Sequence, residues 1–156
     1  MAVNAYLVID GVKGSSSSKS DAIDVLSFSF GASMSTSNHT GGQMSAGKAS
    51  VSDLTVMKML DKTSPDLFQH CVTGDFIKKV ELIYEKAMGD KQEDYFKITL
   101  TDALITSLQS SGSSENPMES LSFSFQKVQY AFNPEENGKL KGYVQKGFDV
   151  LKLKGY

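Results

Sequence analysis

Apolar and polar residues alternate with a period of two along most of this chain. The pentapeptide Leu-Ser-Phe-Ser-Phe occurs twice, at Leu26–Phe30 and at Leu121–Phe125. Such alternation marks a strand with one buried face, the Leu and Phe side chains on one side and the serines on the other. Two aromatic strands far apart in sequence are therefore expected to meet in one β core. Strands are predicted at Ala5–Asp10 and Ala22–Gly31, and at Lys48–Leu60 with Leu54 and Val56 on one face. Further strands are predicted at Lys78–Ala87 (Val80, Leu82, Tyr84), Asp94–Leu108 (Phe96, Ile98, Leu100), Glu119–Phe132 and Lys141–Lys154 (Val144, Phe148, Val150). Leu121, Phe123 and Phe125 are odd-numbered, whereas Val128, Tyr130 and Phe132 are even-numbered. That change of phase predicts a β-bulge near Gln126-Lys127. Gly89-Asp90 suits a hairpin turn, and Asn133–Gly138 suits another. About seven strands and one helix follow, in mostly antiparallel sheets.

The pattern breaks in four places. Gly11–Ser20 is a polar loop with four consecutive serines, and Ser107–Asn116 is a second Gly/Ser-rich loop. Ala32–Gly47 is small and polar with no evident period, and reads as one long loop; such loops are usually functional or disordered. Thr63-Ser64-Pro65-Asp66 reads as a helix start, with Ser64 as the cap, Pro65 at the first helical position and Asp66 at the positive end. Leu67, Phe68 and Cys71 then form one apolar stripe, and Gly74 ends the helix.

Composition narrows the function. The 156 residues suit one domain. The net charge of −2 gives no field that selects an anionic partner. All 16 basic residues are lysines, and without the arginine fork sequence-specific reading of DNA is not expected. A single cysteine excludes an internal disulfide and fits a reducing compartment. The opening residues lack a basic segment before an apolar run, so no signal peptide is expected. No apolar run approaches the ~20 residues of a membrane helix. The expectation is a protein made in the cytoplasm.

Candidate chemistry is sparse. His70 and Cys71 are adjacent on the predicted helix and point about 100° apart, so they are not expected to act as a pair. Cys71 reads as a buried structural thiol. His39, His70 and Cys71 do not make a zinc set, which takes four N/S ligands. The carboxylate pairs Asp21/Asp24 and Glu81/Glu85 read as solvated charge, because acid–base chemistry needs two carboxylates in different environments. Gly41, Gly42 and Gly47 lack the Gly-Lys-Ser/Thr ending of a phosphate loop. Asn38-His39-Thr40 matches a glycosylation sequon, read as a chance match without a secretory signal. No catalytic residue, metal or cofactor is expected. Lys78, Lys79, Lys86, Lys139, Lys141, Lys146, Lys152 and Lys154, spread over several segments, read as a solvated rim that also protects strand edges.

Four segments, in order, carry a resemblance. They are Ala5–Gly14 followed by Ala22–Gly31; Asp61–Pro65 leading into Cys71-Val72-Thr73-Gly74; Asp94–Leu100; and Glu119–Phe132. In order and spacing they resemble the hemolysin co-regulated proteins (Hcp), the tube subunits of the bacterial type VI secretion system. The resemblance covers nearly the whole chain and implies a single domain. The implied fold is a mainly β, antiparallel two-sheet β-barrel with one short α-helix, like phage tail tube proteins. It also implies homohexameric rings stacked into a hollow tube, inside a contractile sheath built on a baseplate and tipped by a spike protein. Such a tube is assembled in the bacterial cytoplasm, fired outward without a cleaved signal, and carries small effector proteins in its lumen. No nucleic acid partner, membrane insertion, fused toxin domain or enzymatic activity is implied. Within the Ala32–Gly47 loop, Ser37, Asn38, His39, Thr40, Gly41, Gly42 and Gln43 are the residues expected to reach an adjacent subunit or ring. The alternative is a monomeric β-barrel that binds a small ligand through its loops.

Overall fold

The structure, a computed structural model, describes residues 3–38, 42, 44–113 and 115–156. Among the described residues thirteen strands and one helix run in the order β1 (Val3–Ile9), β2 (Ile23–Asp24), β3 (Ser27–Ser29), β4 (Ala32–Asn38), β5 (Met44–Val51), β6 (Leu54–Met59), α1 (Ser64–Thr73), β7 (Ile77–Met88), β8 (Lys91–Ser111), β9 (Met118–Phe132), β10 (Glu135–Glu136), β11 (Lys139–Leu140), β12 (Val144–Asp149) and β13 (Lys154–Gly155). All strand pairs are antiparallel, as expected of strands that follow strands.

The long strands β8 and β9 form the spine. β8 lies along one edge of β9 from Met118 to Phe132. The other edge of β9 is shared: β6 pairs with Met118–Phe123, and β12 pairs with Lys127–Phe132. Between the two partners the β8–β9 ladder is interrupted. There Asp102 of β8 takes φ +53, the pair opposite Gln126 is missing from the ladder, and Val150 N donates to Gln126 O at 2.7 Å. The phase change in β9 thus coincides with a ladder irregularity at Asp102 of the neighbouring strand. The shift of register itself lies further along β8, between Ile105 and Ser107, and not at Gln126-Lys127. Thr106 is the extra residue, and its hydroxyl donates to Asp53 Oδ2 at 2.8 Å.

The sheet curls but its ladder does not close into a barrel. Instead of one strand over Ala22–Gly31, the chain makes two short ones, β2 on β1 and β3 on β6. It changes partner at Val25 and Leu26, whose N–H groups donate to Ala5 O and Met57 O. That change explains why the first pentapeptide is less buried than the second. Leu26 is 54% exposed at the crossing point, whereas Leu121, Phe123 and Phe125 are buried. The two copies do meet: Phe28 pairs with Val56, β6 lies between the two copies, and the Phe30 and Phe125 rings are 6.2 Å apart.

The core holds Leu7, Ile9, Leu54, Val56, Val80, Leu82, Ile98, Leu100, Leu121 and Phe123, each close to fully buried. Each such side chain contributes about 1.5–3 kcal/mol of burial. One helix packs on this core through Leu67. Gly74 ends it at φ +69, a left-handed conformation that glycine adopts without steric cost, and its N–H donates to His70 O. The N-terminus differs from expectation. Thr63 is the cap, Ser64 is already helical, and its hydroxyl turns into the protein instead of capping.

Candidate assembly surface

The segment expected to be a structureless loop is a β-hairpin. β4 and β5 pair with each other and with no other described strand. Gly31 and Ser52 clamp its root: Ser52 Oγ accepts from Gly31 N at 2.8 Å, and Ser52 N donates to Gly31 O at 2.8 Å. Register sorts the side chains, because directly paired residues share a face. Ala32/Val51, Met34/Ala49 and Thr36/Ala46 are paired, and Met44 pairs with Asn38, giving a mostly apolar face. Ser33/Ser50 and Ser37/Ser45 give a serine face, with the Ser37 and Ser45 hydroxyls 2.8 Å apart.

A bulge sits in the middle, where Gly47 and Lys48 oppose the single residue Ser35. Ser35 Oγ accepts from Lys48 N at 2.8 Å. A Cβ on Gly47 would stand 2.3 Å from that same oxygen, so glycine is needed for the close approach.

The alternation was present in the sequence. Serine occupies positions 33, 35 and 37 in strict turn with Ala32, Met34 and Thr36. It is faint because Ser, Ala and Thr differ little in size and hydropathy. Among the predicted contact residues, Ser37 and Asn38 lie on β4, and Gly42 lies in the turn region with φ +83. His39, Thr40, Gly41 and Gln43 fall outside the described residues.

Among the described residues, little covers the apolar face of the hairpin along most of its length. Met34 is 50% exposed and Met44 70% exposed, while Val51 at the root packs against the core. Beside the root lies an open groove of about 490 Å³, walled by Phe30, Val128, Tyr130 and Phe148, with Lys146 on its rim. Its aromatic wall continues inward: Tyr130 is 5.2 Å from Phe96, centroid to centroid, and Phe96 is 5.8 Å from Phe28. Sequence reading placed Phe28 and Tyr130 on strands but not in one wall, because β6 had to bring β3 and β9 together first.

The remaining sequence candidates are scattered. Cys71 is half-buried against the core, less enclosed than expected, and Phe68 of the same predicted stripe is exposed. His70 Nδ1 bonds the helix carbonyl of Asp66 at 2.8 Å. Glu85 is not solvated surface charge; it is buried and faces Lys19 at 3.7 Å. Glu81 sits between Lys79 and Lys97. Tyr6 Oη is buried and has no hydrogen-bond partner among the described residues, and burial pushes its phenol above the ordinary tyrosine value. Among the described residues no three His, Cys, Asp or Glu side chains gather as a metal site. No described helix is long and apolar enough to cross a membrane.

Comparison with known proteins matches residues 6–132 to the family described as type VI secretion system effector, Hcp. The chain belongs to the Hcp family. A curated relative, Protein hcp1 of Pseudomonas aeruginosa, is 36% identical over 96% of each chain. Among solved structures, a type six secretion system protein superposes with a TM-score of 0.89 at 29% identity, covering 99% of this chain and 100% of its own. Hcp1 of Salmonella typhimurium gives a TM-score of 0.81 at 28% identity, with both chains fully covered. Family membership makes this Hcp chain a type VI secretion tube or effector protein, consistent with secretion.

Proposed function

We propose that this Hcp chain is a structural tube subunit without catalysis of its own, and that the β4–β5 hairpin is its principal assembly element. The observation that carries this reading is the amphipathic hairpin. A lone two-stranded hairpin is at best marginally stable in water. This one has an apolar face with exposed Met34 and Met44 and no described strand beside it. Packing against a neighbouring copy would bury that face. The contact would join different patches on the two copies, so repetition yields a closed ring or an open filament. Homohexameric rings stacked into a hollow tube satisfy that geometry. The residues from Ser37 to Gln43 are then the ones that reach the adjacent subunit or ring.

The further partners follow from the same reading: a spike protein at the tip, a contractile sheath and baseplate around the tube, and small effectors in the lumen. Assembly takes place in the bacterial cytoplasm, followed by delivery out of the cell. The apolar groove beside Phe30 and Tyr130 favours a second reading, a monomeric ligand-binding module. Native mass spectrometry of the purified chain, followed by electron microscopy, separates the two. Six-fold rings support the tube subunit. A stable monomer at micromolar concentration overturns ring assembly as an intrinsic property and favours the ligand-binding module.

A further inference from the structure

The described methionines divide by exposure. Met57, Met59, Met88 and Met118 are half-buried within the main sheet. Met34 and Met44 are exposed. Both stand on the apolar face of the β4–β5 hairpin. The extra residue of the bulge belongs to β5, so β4 alternates without a break and Met34 shares a face with Asn38, the cross-strand partner of Met44. The neighbouring positions on that face are small: Ala49 lies opposite Met34, and the Thr36/Ala46 pair lies between the two methionines. An unbranched side chain standing among such short ones keeps its sulfur open to solvent.

An open thioether reacts with hydrogen peroxide directly. The sulfur electron pair attacks one peroxide oxygen, the O–O bond breaks and an S–O bond forms. The proton on the transferred oxygen passes to the departing one, which leaves as water. Methionine is oxidised by two electrons, peroxide is reduced by two, and methionine sulfoxide reductases reverse the change. The product is polar and chiral where the thioether was apolar. Its oxygen accepts hydrogen bonds and donates none. On the free hairpin water solvates it. Inside an apolar contact it loses that water, and a polar group buried without a partner weakens the contact.

We propose that Met34 and Met44 are modification sites for peroxide, and that their sulfoxides keep the subunit out of assemblies. The second half rests on the assembly role proposed above for the hairpin. Both side chains are reactive while the subunit is free and protected once a neighbouring copy covers them. Oxidation then acts on free subunits and spares the finished assembly. Each sulfoxide should weaken the contact by at least about tenfold, and the two together by about a hundredfold.

The test takes the full chain diluted until rings dissociate, treats it with hydrogen peroxide and quenches with catalase. Peptide mass mapping should find one added oxygen at Met34 and Met44 before Met57, Met59, Met88 or Met118. In assembled rings the same treatment should oxidise Met34 and Met44 more slowly. After reconcentration, sedimentation velocity should show rings dissociating at a concentration about a hundredfold higher. Methionine sulfoxide reductases acting on both sulfoxide epimers should restore assembly, which separates the thioethers from Cys71, whose higher oxides these enzymes do not reduce. Met34→Leu/Met44→Leu keeps the apolar face without sulfur and should assemble alike before and after peroxide. Oxidation spread evenly over the mapped methionines overturns the site. Selective oxidation that leaves ring formation unchanged, while Met34→Ser/Met44→Ser weakens it, overturns the block on assembly. Rings that tolerate the serine pair, or reduced protein that forms none, overturn the hairpin's assembly role and the block with it, and leave the modification site to the mapping.

Discussion

Replacing Met34 and Met44 together by serine tests whether the hairpin is an assembly element. Full burial of a methionine side chain is worth about 1.5–3 kcal/mol. Met34 has 50% and Met44 70% of its surface still to bury. Scaled by those fractions, the two contribute about 2–3.5 kcal/mol to a contact that covers them completely. At 1.4 kcal/mol per tenfold, each contact should weaken by about 30- to 300-fold. A ring repeats the contact at every interface, so the concentration at which rings dissociate should rise at least that much. The fold should hardly notice, because both side chains are exposed within the chain and surface substitutions change stability by about 0.5 kcal/mol or less. Sedimentation velocity across a dilution series measures the first quantity, and thermal melting of the dilute protein the second. Two results refute the reasoning: an unchanged ring population at every concentration, or a loss of monomer stability as large as the loss of assembly.

Three other perturbations probe the fold that presents the hairpin. Phe123→Ala removes a fully buried ring at the meeting of β6, β8 and β9, and should cost about 3–5 kcal/mol in urea unfolding. Gly47→Ala pushes a methyl against Ser35 Oγ; the hydroxyl must turn away and give up its bond to the Lys48 amide, a loss of about 1 kcal/mol. That loss should appear as faster hydrogen exchange at Lys48, with β7–β9 unaffected. Burial raises the Tyr6 phenol above 10.0, with the nearby Glu85 carboxylate acting in the same direction. Below about pH 10 the phenol is protonated in both states; above it the unfolded chain loses the proton first, so stability should fall as pH rises through the folded value. Tyr6→Phe should blunt that alkaline decline in pH-dependent melts. Because Oη has no described partner, it should also cost under about 1 kcal/mol at pH 7.

Much of the architecture is legible in residue order, because its cause is local. Period-two alternation places β7, β8 and β9 and their inward residues, since each peptide step turns the side chain to the opposite face. Ser-Pro-Asp and Gly74 bracket α1 because proline and glycine act on their own dihedrals. The order of four segments was enough to identify the family. Other features depended on tertiary partners. Ala22–Gly31 reads as one strand, yet its two halves bond to different strands, and only the positions of β1 and β6 decide where it breaks. Ala32–Gly47 reads as a loop because Ser, Ala and Thr contrast weakly, and its two faces emerge only once β4 is set against β5. Lys58 and Glu119 carry no sign of burial in the sequence, since charged side chains are almost never fully buried unless paired. Their burial follows from register, which sets them opposite each other beneath the first turn of α1, where each satisfies the charge the other could not bury alone.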